Sequence, residues 1–213
     1  APMIFEVQRG QNASDIAAAL EEQGVIRSDL IFKIGLKYLN DSTVLKAGEY
    51  EIDAGMSVHN VLEALQSGRI IQYQITIPEC VTSYEVMNLL NSIDGLEGNI
   101  VHPPTEGSIY PNTYNYIKGE RREDILLRMQ KDMDMILEAA WRLRKGEDLP
   151  FNSPKEALIL ASIVEKESGN PQERPKVAGL FINRLKIDMR LQSDPTVIYG
   201  IVDGRRETGG MGP

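Results

Sequence analysis

Glu6-Val7-Gln8-Arg9-Gly10-Gln11-Asn12-Ala13-Ser14-Asp15-Ile16-Ala17-Ala18-Ala19-Leu20 is the stretch from which the fold is read, because its pattern returns twice without gaps, over 51–65 and 76–90. Each copy opens on a β-branched residue (Val7, Ile52, Ile77) and reaches a turn position (Gly10, Gly55, Cys80). A side chain able to cap a helix stands two residues later (Asn12, Ser57, Thr82). Apolar residues four apart follow: Ile16 and Leu20, Val61 and Leu65, Val86 and Leu90. Residues four apart share one helical face, so each copy predicts strand, tight turn, capped short helix. The third copy carries Cys80 where the others have glycine, the residue that a tight turn favours.

Between the first two copies, Leu30, Ile31, Ile34, Leu36 and Leu39 predict a second helix over 28–39, and Leu45-Lys46-Ala47-Gly48-Glu49-Tyr50-Glu51-Ile52 reads as a turn entering a strand. Residues 1–72 therefore form a small α/β module, with a strand beginning at Ile71 after the boundary near 68–72. After Asp94-Gly95 the pattern loosens into a loop rich in Pro, Gly and Asn that contains Glu106-Gly107 and Tyr110-Pro111-Asn112-Thr113-Tyr114. A helix follows over 122–145, with Ile125, Leu126, Met129, Met133, Ile136, Leu137, Ala140 and Trp141 at helical spacing; its methionines read as core filling. The whole is an α+β protein in which a mainly helical domain with short strands, 73–213, follows the module.

Composition narrows the function classes. The chain has 213 residues, 23 Lys+Arg against 31 Asp+Glu and a net charge of −8, which argues against unspecific nucleic-acid binding. One cysteine excludes an intrachain disulfide framework, and two histidines without helical His-x-x-x-His spacing leave little from which to build a metal site. No apolar run approaches the ~20 residues that span a bilayer, and the start, Ala1-Pro2-Met3-Ile4-Phe5, has no signal-peptide pattern.

Chemistry concentrates after residue 152. Ser153-Pro154-Lys155-Glu156 combines an N-cap, proline in the first turn and a capping-box glutamate. Ala157-Leu158-Ile159-Leu160-Ala161-Ser162-Ile163-Val164 is apolar on every face except for Ser162, which predicts a helix surrounded by protein. Glu165-Lys166-Glu167 then falls at its C-terminal end, before Ser168-Gly169-Asn170-Pro171 stops it. The negative end of the helix dipole and partial burial both disfavour ionisation there, and a glutamate kept protonated is what a general acid needs to cleave a glycosidic bond. Periodicity does not choose between Glu165 and Glu167. A further helix from Pro175 has Val177, Ala178, Leu180, Phe181 and Leu185 inward, flanked by Asn183 and Arg184. The run Met189-Arg190-Leu191-Gln192-Ser193-Asp194-Pro195-Thr196-Val197-Ile198-Tyr199-Gly200 mixes polar and apolar residues as a sugar-binding wall does, although a capped turn at Asp194-Pro195-Thr196 accounts for it as well.

Taken together, Ala161–Glu167, Val177–Leu185, Met189–Gly200, Leu45–Tyr50, Glu106-Gly107 and Tyr110–Tyr114 resemble the YceG-like family, the endolytic murein transglycosylases once labelled aminodeoxychorismate lyases. The resemblance spans nearly the whole chain, and 161–200 is its most specific part. It implies that 1–72 is LysM-like and that 73–213 is a catalytic domain that cuts peptidoglycan glycan strands internally, leaving 1,6-anhydroMurNAc ends. It also places the catalytic carboxylate at Glu167, acting first as acid and then as base. Gln192, Asp194 and Thr196 line the implied cleft, with Ser162, Asn183 and Tyr199 as further sugar contacts. No metal or cofactor is implied. The implied partners are glycan strands and cell-wall synthases, not nucleic acid, and the implied location is the extracytoplasmic face of the membrane in a bacterial cell envelope.

Family members usually begin with a membrane-anchoring helix and continue past Tyr-Gly into Asn-Thr-Tyr and Gly-Leu-Pro-Pro-Gly elements. Here Arg205–Pro213 follows instead, so the expectation is an anchored enzyme represented without its anchor and truncated at the C-terminal end of the catalytic domain. The alternative is a non-catalytic peptidoglycan-binding or scaffolding protein. A pyridoxal-phosphate lyase is disfavoured, because Lys166 is the only lysine near the proposed site and no glycine-rich phosphate loop follows a strand.

Overall fold

The computed structural model describes residues 2–38, 45–53, 55–146 and 148–202; the expectations for Leu39 and for Arg205–Pro213 lie outside these. The backbone divides into two units, one made of 1–75, 94–97 and 115–121, the other of 76–93, 98–114 and 122–213.

In the first unit, β1 (Pro2–Val7) leads into α1 (Ala13–Glu22), α2 (Asp29–Tyr38), β2 (Gly48–Asp53) and α3 (Val58–Ser67). Strands β1 and β2 pair antiparallel, with Phe5 opposite Tyr50 and Val7 opposite Gly48. Alternation along the strands turns Phe5, Val7, Tyr50 and Ile52 to one face, where Ile16, Leu20, Phe32, Val61 and Leu65 complete the core. Each such side chain contributes about 1.5–3 kcal/mol on full burial. The buried Tyr50 hydroxyl donates to the carbonyl of Lys46 at 2.8 Å, so its polar end is satisfied. Gly48 explains its own place in the Leu45–Tyr50 segment: its φ is +141°, and an added Cβ would meet a methyl of Ile70 at 2.4 Å. Helix α2 differs from its expected role, since Phe32 is buried while Leu30, Ile31 and Ile34 stand exposed on its outer side.

The three copies of the repeat fold as read, except that Ile77, expected in a strand, lies just past the end of one. Asn12, Ser57 and Thr82 cap α1, α3 and α4 (Ser83–Ser92), accepting from the amides of Asp15, Asn60 and Glu85 respectively. Asp15 and Glu85 close capping boxes. The six apolar positions at four-residue spacing are all buried. At the shared turn position Gly10, Gly55 and Cys80 have φ of 86°, 87° and 65°, so the cysteine adopts the left-handed backbone of the two glycines.

Strands β3 (Tyr73–Thr76) and β4 (Thr113–Tyr116) form a second two-stranded ribbon. The pairings of Thr76 with Thr113, Gln74 with Asn115 and Tyr73 with Tyr116 make it antiparallel. Strand β4 corrects the loop expected there: Thr113-Tyr114-Asn115-Tyr116 is rich in strand-forming residues, and Tyr114 is buried between exposed neighbours.

In the second unit, α5 (Arg122–Arg142) buries Ile125, Met129 and Met133. Arg122, itself buried, donates to the carbonyls of Leu90 (2.8 Å), Gly98 (2.6 Å) and Ile93 (2.6 Å) and so fastens the end of α4. Helices α6 (Pro154–Glu167), α7 (Arg174–Lys186) and α8 (Asp194–Val202) complete it. Three expectations are corrected here. Helix α6 is not enclosed: it packs on α5, α7 and α8 along Leu160 and Val164, while Ile159, Ala161 and Ser162 are exposed. Leu180 and Leu185 are exposed on α7, which buries Phe181. Finally, Asp194-Pro195-Thr196 begins a helix rather than a turn, proline being tolerated in a first turn. Among the described residues no helix is long and apolar enough to cross a membrane.

Candidate active site

Helix α6 starts as its sequence dictates. The Ser153 side chain accepts from the amide of Glu156, and Pro154 occupies the first turn; the Glu156 carboxylate takes the amide of Asn152, one residue earlier than a capping box requires. At the other end Glu167 is the last helical residue. The amide of Ser168 returns to the carbonyl of Val164 at 3.0 Å, and its hydroxyl donates to the carbonyl of Asn170 at 3.1 Å, closing the helix.

The two glutamates of Glu165-Lys166-Glu167 have different partners. Glu165 is engaged by Arg174 of α7 in an ion pair at 2.9 Å. Glu167 accepts a hydrogen bond from the Ser193 hydroxyl at 2.7 Å. Burial of Glu167, one of the two causes expected to favour its protonated form, is not present, because the residue is exposed. Ser193 by contrast is buried at 2 % exposure. Sequence reasoning passed it over while choosing the longer polar residues on either side; its mark was a small hydroxyl between Leu191 and α8.

Of the expected cleft residues, Gln192, Asp194 and Thr196 surround Ser193 on one short segment. The Thr196 hydroxyl donates to the Ser193 carbonyl at 2.6 Å and its amide to the same carbonyl at 3.1 Å. Gln192 and Asp194 are exposed, Gln192 with a left-handed φ of 51°. Among the described residues, Ser162 and Asn183 form no hydrogen bond with Glu167. Ser162 bonds to the carbonyl of Ile159 in its own helix at 2.8 Å, and five residues from Glu167 it lies about 140° around the axis. Asn183 and Tyr199 are exposed on α7 and α8.

The loop that carries Gln192 and Ser193 is tied to α7 chiefly through Arg184. The Arg184 guanidinium donates to the carbonyl of Leu191, and the Arg184 carbonyl accepts from the amide of Met189 at 2.8 Å. Partial burial pushes the Cys80 thiol up; the charge of Glu165 adds to this and that of Lys166 opposes it. The Glu106-Gly107 and Tyr110–Tyr114 segments each make hydrogen bonds within the fold. The Glu106 carboxylate accepts from the amide of Ser83 at 3.1 Å, at the positive end of α4. The Tyr114 hydroxyl donates to the carbonyl of Tyr110 at 2.8 Å, and burial, aided by Asp132, pushes that phenol up to about 12. Among the described residues no group of three or more His, Cys, Asp or Glu could hold a metal ion.

The arrangement is thus an exposed carboxylate at the end of a helix, hydrogen-bonded to a buried serine on a polar loop. The sequence model of the YceG-like family matches residues 5–209, and the chain belongs to that family. Among curated relatives, an endolytic murein transglycosylase of Streptococcus pneumoniae (serotype 2, strain D39) is 28% identical over 235 residues, covering 91% of this chain and 42% of the relative. An endolytic murein transglycosylase of Bacillus subtilis (strain 168) is 29% identical over 228 residues, covering 92% of this chain and 62% of the relative. The chain thus spans 42% to 62% of the length of these curated relatives. A crystal structure of a YceG-like protein from Listeria monocytogenes matches with 28% identity and a TM-score of 0.47, covering 99% of this chain and 78% of that one.

Proposed function

We propose that this chain is a lytic transglycosylase that cleaves the bond from N-acetylmuramic acid to N-acetylglucosamine within peptidoglycan strands, with Glu167 as its catalytic residue. The observation that carries this reading is the pairing of the two candidate carboxylates: Arg174 engages Glu165, whereas Glu167 meets a neutral hydroxyl beside Gln192, Asp194 and Thr196. The names of the relatives supply the substrate class. Glu167 protonates the glycosidic oxygen as the bond to the muramyl C1 breaks. The resulting carboxylate takes the proton of the muramyl C6 hydroxyl, whose oxygen bonds to C1 and closes the 1,6-anhydro ring. No water enters, so one carboxylate suffices where hydrolases use two. Gln192, Asp194 and Thr196 hold sugar hydroxyls, with Asn183, Tyr199 and Ser162 as outlying contacts. Residues 1–72 act as a LysM-like glycan-binding module, and the enzyme works at the outer face of the cytoplasmic membrane beside cell-wall synthases.

Incubation with purified sacculi and mass spectrometry of the products tests the proposal. The expected result is chains ending in 1,6-anhydroMurNAc, abolished by Glu167→Gln and retained by Glu165→Gln. Reducing ends would assign a hydrolase instead. Sacculus binding without turnover, equal in wild type and Glu167→Gln, would assign a binding or scaffolding protein.

A further inference from the structure

We propose that Ser193 is a positioning residue for Glu167, held in register by an Arg184 clamp on the Leu191 carbonyl; this rests on the reading of Glu167 as acid and base. An exposed glutamate at a helix end has many rotamers, and fixing it in one costs side-chain entropy. The observed constraint is the Ser193 hydroxyl at 2.7 Å, on a residue only 2 % exposed. A serine hydroxyl both donates and accepts. It therefore stays bonded whether the partner is a carboxylate or a carboxylic acid, as a residue acting first as acid and then as base requires. Arginine, which only donates, serves a fixed charge, and that is the arrangement at Glu165.

Ser193 is itself placed by backbone geometry that a free loop would not hold. Gln192 lies in the left-handed region at φ 51°, a conformation unfavourable for a non-glycine residue that persists where its surroundings enforce it. The enforcement comes from both sides. Upstream, Arg184 takes the Leu191 carbonyl with its guanidinium and the Met189 amide with its own carbonyl, closing the loop that leaves α7. Downstream, Thr196 binds the Ser193 carbonyl twice. The chain from α7 to Glu167 thus runs through Arg184, Leu191, Gln192 and Ser193, every link a contact within one unit.

Two readouts test this in the full chain. In turnover of soluble glycan strands, Ser193→Ala is expected to lower kcat about ten- to a hundredfold with KM within about twofold. Arg184→Met does the same, and the double variant is no worse than the poorer single one, because both changes break one path. A kcat for Ser193→Ala within about twofold of wild type, or losses that multiply in the double variant, overturns the proposal. In chain labelled with 13C at glutamate carboxyls, the Glu167 resonance at fixed pH moves in Ser193→Ala and Arg184→Met while that of Glu165 stays. An unmoved Glu167 resonance overturns the proposal without reference to activity. Should Arg184→Met lower the melting temperature, Arg184→Lys takes its place, since lysine keeps the charge and loses the planar fork. Activity surviving in Glu167→Gln overturns the underlying reading instead, whatever the spectra of the Ser193 variants show.

Discussion

The first unit and the α6–α8 layer are both written in strongly apolar sequence, yet they use it differently. In the first unit Phe5, Ile16, Leu20, Phe32, Tyr50, Ile52, Val61 and Leu65 are essentially removed from solvent. In the α6–α8 layer the buried set is Leu160, Val164 and Phe181, and Ile159, Leu180, Val197 and Ile201 remain exposed. Around that small core pack the partly buried Phe151, Ile163, Val177, Ala178, Ile182 and Leu191, and polar contacts add to them: Arg174 on Glu165, Ser193 on Glu167, Arg184 on Leu191 and Lys186 on Asp148. A candidate catalytic carboxylate on a thinly packed layer is placed by hydrogen bonds more than by core, and its geometry is correspondingly easy to disturb.

The sharpest way to break the comparison is to exchange the kinds of interaction. Arg122→Met removes a buried cation that saturates carbonyls of Leu90, Ile93 and Gly98, so the second unit should lose about 4 kcal/mol, read from the urea midpoint of Trp141 fluorescence. A loss below about 1 kcal/mol would mean that polar clamps do not carry this unit. Ile52→Ala, at 0 % exposure in the first unit, should cost about 3 kcal/mol by circular dichroism. Leu160→Ala, at 7 % in the thin layer, should cost about 2 kcal/mol, because its surroundings can relax toward the gap. The reverse order of the last two would contradict the packing contrast.

The same contrast separates what was legible in the sequence from what was not. Local rules gave the repeat, its caps and its buried pairs, since each lies within fifteen residues and obeys one periodicity. The Glu165-Lys166-Glu167 position at a helix end was equally local. Neighbour number was not: the residues of α6 specify which contacts the helix accepts, not how many helices arrive to make them. Ser193 was missed because its role depends on a left-handed Gln192, and nothing about glutamine marks that backbone in a sequence. Strand β4 was hidden among prolines and glycines because its partner β3 lies about forty residues away, beyond the reach of local pattern.

A smaller effect comes from the charged cluster of the first unit. Glu49 accepts from Lys118 at 2.8 Å and from Tyr73 at 2.5 Å, and these bonds, Lys118 first, hold its carboxyl below the usual carboxylate range. A depressed carboxyl means that the unfolded chain binds the proton more readily. The stabilisation is therefore complete above the unfolded value of 4.5 and is lost as pH falls through the lower folded value. Lys118 is partly exposed, so solvent screening keeps the effect below about 1 kcal/mol. The urea midpoint should fall below pH 4.5 in wild type and fall less steeply in Lys118→Met. Equal slopes would remove Lys118 as the cause.

The smallest effect tests the repeat itself. Cys80 holds φ 65° at the position where Gly10 and Gly55 hold 86° and 87°, and it is exposed. Left-handed backbone costs a residue with a Cβ roughly 1–2 kcal/mol, against about 0.5–1 kcal/mol for the extra freedom that glycine loses on folding. Cys80→Gly should therefore stabilise the protein by about 0.5 kcal/mol, and Gly55→Ala, the mirror change in the second copy, should destabilise it by a similar amount. The two opposite signs are the test, because a general effect of small residues at turns would move both variants the same way. Cys80→Gly also removes a thiol whose ionisation is influenced by the charges of Glu165 and Lys166. If it gains stability with unchanged turnover, the cysteine is a departure of the third copy from its own turn rule and not a part of the chemistry at the end of α6.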